Sequence, residues 1–169
     1  ASECMVLVEL LNTLRLRRIA LHARTGKQQY KGHPDLEAFQ GFYELCQHPL
    51  YYNGDIESLS DIRQILTRFP LLKGVFIGRG LLSSPLLAKE FKGNETFLPE
   101  QRMSIYFAFH EELFSAYSQV LQGETQLLVK MKTLWEYFLP ETDRKLLKRI
   151  KKSTRLQQYT ESVKAIFTS

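Results

Sequence analysis

Residues 1–92 alternate between apolar residues at helical spacing and short apolar runs that are typical of buried strands. The runs lie at 18–23, 49–53 and 74–78, and a helical pattern stands before, between and after them. Strands separated by helices are usually parallel and joined by right-handed crossovers, because the helix returns the chain to the same end of the sheet. This region is therefore predicted to be an α/β structure of about three parallel strand–helix units.

The helices of this region are predicted from apolar spacing and from capping residues. Helical spacing covers residues 3–13, 35–46 and 59–69. A further helix is expected to begin at Ser84, because serine is a favoured N-cap. Pro85 then occupies the first helical position, where its missing N–H costs little.

A polar segment with glycine and proline, residues 92–99, is followed by a region without strand patterns. Residues 93–169 are therefore predicted to form a second, all-α domain, a small helical bundle that follows the α/β domain at 1–92. Apolar spacing places its helices at 99–121, 124–139, 141–150 and 160–167.

The positive charge of the chain is concentrated near its end. Residues 1–126 contain 13 lysines and arginines against 14 acidic residues, whereas residues 127–169 contain 10 against 4. The net charge of +5 therefore arises entirely from the last quarter of the chain. Such asymmetry points to a polyanionic partner, most often nucleic acid or an anionic membrane. The alternative is a lysine-rich helical face that is only solvated.

The composition places the chain among globular proteins. Of its 169 residues, 44% are hydrophobic, which is enough for a packed core. The cysteines, Cys4 and Cys46, are too few for a disulfide framework and indicate a reducing compartment. The apolar run near the start is too short to span a membrane and has no signal-peptide layout. We therefore expect a cytoplasmic protein with no membrane partner and no metal. Because the chain begins with Ala1, we also expect a piece of a longer protein.

Each predicted strand is followed by residues suited to binding an anion. The first strand ends in a segment at 22–26 that begins with His22, the second ends in an Asn-Gly-Asp sequence at 53–55, and the third ends in a Gly-Arg-Gly sequence at 78–80. Glycines let backbone N–H groups approach an anion, and Arg79 offers a charge-assisted fork. Parallel strands end at the same edge of a sheet, so the three loops together predict a phosphate site. Each also has a simpler explanation when taken singly. His22 is then a core histidine, the Asn-Gly-Asp sequence a turn, and the Gly-Arg-Gly sequence a flexible loop.

Three segments resemble the tRNA-dihydrouridine synthase family. LHARTGKQQYKG at 21–32, YNGDI at 52–56 and GVFIGRGLLSSP at 74–85 follow the order and spacing of the family, and the resemblance continues into the basic helical tail. Phe76 and Ser84 stand where the family commonly has Met and Asn. The resemblance implies a partial (β/α)₈ TIM barrel, its last three strand–helix units, followed by a helical tRNA-binding domain.

The resemblance also implies an activity. Enzymes of this family carry FMN at the mouth of the barrel, use NADPH to reduce it, and convert uridine in tRNA to 5,6-dihydrouridine. Six residues match the positions that hold the ring, ribityl chain and phosphate of FMN: His22, Asn53, Gly54, Asp55, Gly78 and Arg79. Arg24 and Tyr30, on the loop after the first strand, are expected to face the substrate.

The catalytic cysteine and the flavin-stacking strand of the family match no segment of this chain. Cys4 and Cys46 fall in predicted helices and are expected to be buried structural thiols, so no catalytic residue is assigned. We expect the chain to lack reductase activity alone, to bind FMN weakly or not at all, and to assemble with the N-terminal half of the barrel.

Two alternatives to this interpretation stay open. One is a basic helical RNA-binding module without catalysis, for which the α/β region serves as a mount. The other is a different FMN barrel enzyme, similar to dihydroorotate dehydrogenase. The basic tail disfavours the latter, because a small substrate requires no binding surface for a polyanion.

Overall fold

The computed structural model describes residues 3–28 and 31–168. The chain divides into two compact units, Ala1–Gly80 and Leu81–Ser169. The first unit contains a sheet of three parallel strands in the order β1-β2-β3, which confirms the prediction from the alternating patterns. The functional boundary expected at residues 92–93 stays a prediction.

Helices and strands alternate along the first unit. Their bounds are α1 Glu3–Asn12, β1 Ile19–Leu21, α2 Leu36–Leu45, β2 Leu50–Asn53, α3 Leu59–Arg68 and β3 Gly74–Phe76. Each lies within a segment for which the sequence predicts that type of element. In the register of the sheet, Leu21 lies beside Tyr52 and Asn53 lies beside Phe76. The carboxyl ends of all three strands therefore reach the same edge of the sheet.

One face of the sheet is covered by an aromatic cluster. Phe39 of α2 packs edge-on against Tyr52 of β2, with ring centroids 5.0 Å apart, and against Phe69 at 4.9 Å. All three rings are buried. Asp35 fixes the start of α2, since its carboxylate accepts hydrogen bonds from two backbone N–H groups of the first turn. This packing holds α2 and the central strand together below the strand ends.

The opposite face of the sheet is open in this unit. Tyr51 points away from the aromatic cluster, because side chains alternate along a strand. Its ring meets Phe76 edge-on at 5.6 Å, and Phe76 is 43% exposed. Apolar side chains are also exposed on α1 and just after it, namely Val6, Leu7, Leu10 and Leu14.

Two glycines let the loops after β2 and β3 pack closely. A Cβ atom at Gly80 would overlap the carbonyl oxygen of Ile56. A Cβ atom at Gly54 would lie 2.6 Å from the Tyr52 hydroxyl and 2.8 Å from Cγ of Pro34. A side chain at either glycine would push the loops apart. At Gly80 the chain after β3 therefore lies against the backbone of the loop after β2, and at Gly54 that loop lies against the Pro34 side chain of the loop after β1.

The second unit is helical. A short helix, α4 at Arg79–Ser83, follows β3 and was not predicted. The helices after it are α5 Leu87–Gly93, α6 Pro99–Val120, α7 Glu124–Leu134, α8 Arg144–Lys152 and α9 Leu156–Phe167. In the described part of the chain, no helix is both long enough and apolar enough to cross a lipid bilayer.

Several predicted helix ends were wrong. The helix expected at Ser84 begins at Leu87, because the Ser84 hydroxyl bonds to the Tyr106 hydroxyl at 2.7 Å rather than capping a helix. α8 begins after Asp143, whose carboxylate accepts from two backbone N–H groups of its first turn. The predicted helix at 124–139 ends at Leu134.

A hydrogen-bonded aromatic cluster lies in the core of the second unit. The Trp135 Nε1–H donates to the Tyr159 hydroxyl at 2.9 Å, and that hydroxyl lies 2.7 Å from Nε2 of His110. The cluster is satisfied when Tyr159 donates to a neutral His110, whose Nδ1–H then donates to Glu111. Burial lowers the pKa of His110 and raises the pKa of Tyr159. Both side chains therefore stay neutral near pH 7.

We predict that the second unit loses stability as pH falls below about 6.5, the ordinary pKa of histidine. The fold lowers the pKa of His110, so its contribution to stability is complete above 6.5. The contribution is lost as pH falls toward the folded pKa, by up to about 1.4 kcal/mol per pH unit. Urea unfolding followed through the fluorescence of Trp135, the single tryptophan, measures this loss. His110→Gln cannot titrate, and an unchanged pH profile in this variant contradicts the prediction.

Candidate functional site

The loops after the three strands surround one cleft. Its lining residues come from the strand ends and the loops that follow: His22, Asn53, Gly54, Asp55, Ile56, Glu57, Phe76, Gly78, Arg79 and Gly80. The structure thus brings together all six residues that match FMN positions. The cleft volume is about 160 Å³, below the roughly 300–1,000 Å³ of complete small-molecule sites. The cleft is sized for one end of a larger ligand.

One carboxylate shared by two arginines organises the cleft. Nη2 of Arg24 lies 2.5 Å from Oδ2 of Asp55, and Nη2 of Arg79 lies 2.9 Å from Oδ1. The three side chains come from the loops after three different strands, so their ion pairs join the strand ends. Two guanidinium groups and one carboxylate leave this cluster with a net positive charge.

Arg24 is buried at the back of the cluster. Its side chain is 3% exposed, and Nη2 also donates to the carbonyl oxygen of Gly32 at 2.8 Å. The loop is closed by the Asp35 N–H, which donates to the carbonyl oxygen of Ala23 at 2.8 Å. These contacts give Arg24 a structural role, and its contact with substrate stays a prediction. Tyr30, the other residue expected to face substrate, lies outside the described residues.

Arg79 and Gly78 form the accessible part of the cleft. The Arg79 side chain is 36% exposed, so a ligand in the cleft can reach it. A Cβ atom added at Gly78 would meet no heavy atom within 4 Å, so the space beside this glycine is not filled by protein. An accessible guanidinium beside open glycine backbone suits a phosphate group. These two observations fit the phosphate end of FMN.

Other charged groups restrict where an anion can lie. Glu57 is exposed and lines the cleft, so it repels an anion on its side. Nδ1 of His33 lies 3.7 Å from Oδ2 of Asp55, but the His33 side chain is 93% exposed. Burial, with a smaller effect of the Asp55 carboxylate, raises the pKa of Tyr52 below the cleft. The accessible guanidinium of Arg79 is therefore the positive group that an anion in the cleft can contact directly.

Sequence reasoning missed the pairing of Arg24 with Asp55. The two residues are 31 positions apart in the chain, so no local pattern signals their contact. It also missed that Phe76 lines the cleft, although a signal was present. Residues two apart in a strand point to the same face of the sheet. Phe76 stands two positions before the site residue Gly78 in the strand predicted at 74–78, so the two share a face. The register, with Phe76 beside Asn53, agrees.

A second candidate surface is a groove between α8 and α9 with a volume of about 390 Å³. Four basic residues of α8 line it at the spacing of one helical face: Lys145, Lys148, Arg149 and Lys152. Lys132, which belongs to the same basic part of the sequence, instead donates to the carbonyl oxygen of Ser153 at 2.8 Å. The structure thus distinguishes the basic residues that line this groove, here named the α8 groove, from a lysine that makes a structural contact.

The cysteines lie outside the cleft. Cys4 and Cys46 are free thiols and only partly buried, in contrast to the burial expected from sequence. The Cys46 thiol donates to the carbonyl oxygen of His48, with Sγ and oxygen 3.6 Å apart. Among the residues that the structure describes, no group of three or more His, Cys, Asp or Glu is placed to hold a metal ion. The cleft therefore offers anion binding without a lining thiol.

Curated proteins similar to this chain share one activity in their names. A probable tRNA-dihydrouridine synthase of Aquifex aeolicus is 33% identical over 91 residues, which are 54% of this chain and 28% of the relative. One from Rhizobium leguminosarum bv. phaseoli is 36% identical over 70 residues, 41% of this chain and 22% of the relative. tRNA-dihydrouridine synthase B of Vibrio cholerae is 27% identical over 106 residues, 61% of this chain and 33% of the relative.

These alignments cover between 22% and 33% of the relatives, so the chain spans at most about a third of their length. The family model described as dihydrouridine synthase (Dus) matches residues 2–168, which include both compact units. The match therefore includes the cleft and the α8 groove together. On this evidence the chain belongs to the dihydrouridine synthase family.

Proposed function

We propose that this chain takes part in the reduction of uridine to 5,6-dihydrouridine in tRNA, as the carboxyl-terminal part of an FMN-dependent enzyme. The observation that supports this most is the single cleft around which the predicted FMN residues meet, with Arg79 accessible and Gly78 open. The names of the relatives agree with the proposal. The proposal includes a cytoplasmic location for the enzyme.

In this proposal Gly78 and Arg79 hold the FMN phosphate. The guanidinium neutralises the phosphate charge, and the absence of a side chain at Gly78 lets the phosphate approach the backbone. Asn53, Gly54 and Asp55 line the ribityl–phosphate end, and His22 lies near the ring or the phosphate. When bound, FMN supplies hydride transfer, with NADPH as the reductant and a uracil base of tRNA as the acceptor. The residues of this chain bind and orient the cofactor.

Exposed surfaces of the first unit support a partial barrel. β1 and β3 are the edges of the three-stranded sheet, and three strands are too few to close a barrel. Val6 and Leu10 of α1 are exposed, and so is Phe76 on the open sheet face. A closed (β/α)₈ barrel covers such edges and faces. We propose that further strand–helix units, the amino-terminal half of the barrel, complete the site.

The cleft of this chain supplies no cysteine acid for protonation of the uracil ring. We predict that the chain, supplied with FMN, NADPH and tRNA lacking dihydrouridine, forms no dihydrouridine. Mass spectrometry of the digested nucleosides measures this outcome, with the Aquifex aeolicus relative as the positive control. Dihydrouridine above the level of an enzyme-free reaction contradicts the proposal that the barrel must first be completed.

Substitution of Gly78 tests the phosphate site. We predict that Gly78→Ala weakens FMN binding by about tenfold or more, because the added methyl group occupies space beside the phosphate. The fold should be unaffected, since a Cβ atom at this position meets nothing within 4 Å. Quenching of micromolar FMN fluorescence by increasing chain concentration, up to the millimolar range, measures the weak affinity expected of a partial site.

Gly26→Ala is the matched control for this substitution. Gly26 has equally open space around its Cβ position but does not line the cleft, so FMN affinity should be unchanged. Equal losses of FMN affinity in both variants contradict the proposed site.

The α8 groove favours a second function, the binding of structured RNA, which the proposed enzyme also requires for tRNA. Its four basic side chains lie on one face of the helix. Lysine and arginine contacts to phosphates release counterions, so the affinity of such a surface falls with salt concentration. If the chain bound RNA but not FMN, the interpretation as a binding module without catalysis would replace the enzyme.

We predict that Lys148→Gln with Lys152→Gln weakens tRNA binding and flattens its dependence on salt. Each lost phosphate contact lowers the slope of log affinity against log salt by about 0.7–0.9, so two contacts lower it by up to about two. Filter binding at several salt concentrations measures the slope. Arg144→Gln with Lys151→Gln is the control, since it removes the same charge from the same helix outside the groove. Equal changes in both double variants contradict binding in the groove.

A further inference from the structure

We propose that Asp55 and Arg24 are positioning residues that direct Arg79 toward the phosphate of a bound flavin nucleotide. They would then act on the phosphate through Arg79 rather than by contacting it. This inference rests on the proposed FMN site, and it assigns the pair a different role from the one that the sequence implied.

The carboxylate of Asp55 is divided between the two arginines. Oδ2 binds Arg24 at 2.5 Å and Oδ1 binds Arg79 at 2.9 Å. An arginine on a surface loses rotamer freedom when it binds an anion, and this loss weakens binding. Because Asp55 already restrains Arg79, part of that loss occurs before the ligand arrives. The carboxylate thus prepares the guanidinium for the phosphate.

The three side chains are graded in burial from the interior to the cleft. The side chain of Arg24 is 3% exposed, that of Asp55 is 24% exposed and that of Arg79 is 36% exposed. Arg24 is therefore shielded, whereas Arg79 is accessible. Nη2 of Arg24 also donates to the carbonyl oxygen of Gly32, which lies in the loop after β1. Arg24 therefore binds the carboxylate from its buried side, and Arg79 lies on the side of the cluster that faces the cleft.

Charge explains why two arginines are needed. Asp55 paired with Arg79 alone would be neutral and would attract an anion weakly. The guanidinium of Arg24 restores one net positive charge, which offsets the repulsion from Glu57 on the cleft wall. His33 also lies near Asp55, at 3.7 Å, but its 93% exposed side chain is strongly screened by water. Arg24 thus adds positive charge without entering the cleft.

Removal of the Asp55 charge separates positioning from simple electrostatics. Electrostatics alone predicts that Asp55→Asn strengthens phosphate binding, because a negative charge beside Arg79 is lost. Positioning predicts the opposite. An amide donates from one side and accepts on the other, so it cannot accept from both arginines as the carboxylate does. The two explanations therefore differ in the sign of the effect.

The test compares FMN with riboflavin, which lacks the phosphate. Flavin fluorescence at micromolar flavin, with the chain titrated to millimolar concentration, gives both affinities and hence the preference for FMN. We expect the unaltered chain to prefer FMN and Asp55→Asn to reduce this preference about tenfold. Arg79→Gln should reduce it similarly. The double variant should show no further loss, because Asp55 acts through Arg79.

Each outcome is decisive. No preference for FMN in the unaltered chain overturns the proposed function itself. A normal preference that Asp55→Asn leaves unchanged or increases overturns only the positioning role, as do losses that add in the double variant. Equal weakening of FMN and riboflavin binding indicates a purely structural role and also overturns the positioning role.

If Asp55→Asn does not fold by circular dichroism, Arg24→Lys replaces it in the same cycle. That substitution keeps the charge but removes Nη2, which binds both Oδ2 of Asp55 and the carbonyl oxygen of Gly32, so the same loss of preference is expected.

Discussion

The Asp55 carboxylate holds together the loops that follow three separate strands. Arg24 binds one of its oxygens and Arg79 binds the other, so a single side chain joins the first loop to the third through the second. Close packing at Gly54 and Gly80 brings the same loops into contact. Without this packing the charged groups would be too far apart to form ion pairs, and without the Asp55 carboxylate the buried guanidinium of Arg24 would lose its carboxylate partner, which is costly.

In the second unit, the buried polar groups form hydrogen bonds within the core, whereas the basic residues of α8 are exposed. The hydrogen bonds among His110, Trp135 and Tyr159 satisfy polar atoms that lie among the apolar side chains of the core. α8 turns Ile150 into that core and keeps its basic residues exposed. Lys132 shows that basic composition alone does not identify a binding residue, since its ammonium group binds the carbonyl oxygen of Ser153.

Sequence patterns predicted the elements of the first unit well because each pattern is local. Apolar spacing and caps such as Asp35 act within a few residues, so they locate α2 and its neighbours. Helix ends were harder where a tertiary contact competes with a local signal. Ser84 is a good N-cap in isolation, yet its hydroxyl bonds to Tyr106 from another helix. Pairings between distant residues, such as Arg24 with Asp55, leave no local trace at all.

The sequence by itself determined that the strands are parallel and that His22, Asn53 and Arg79 lie at one edge of the sheet. Both follow from the order of helices and strands, because a crossover returns each strand in the same direction. The segments that resemble known relatives likewise indicated the family that the full comparison established. Only the tertiary structure decided that Arg24 is buried while Arg79 is accessible. Burial depends on the path of each loop and on the partner it meets there, and neither is encoded in the spacing of residues along the chain.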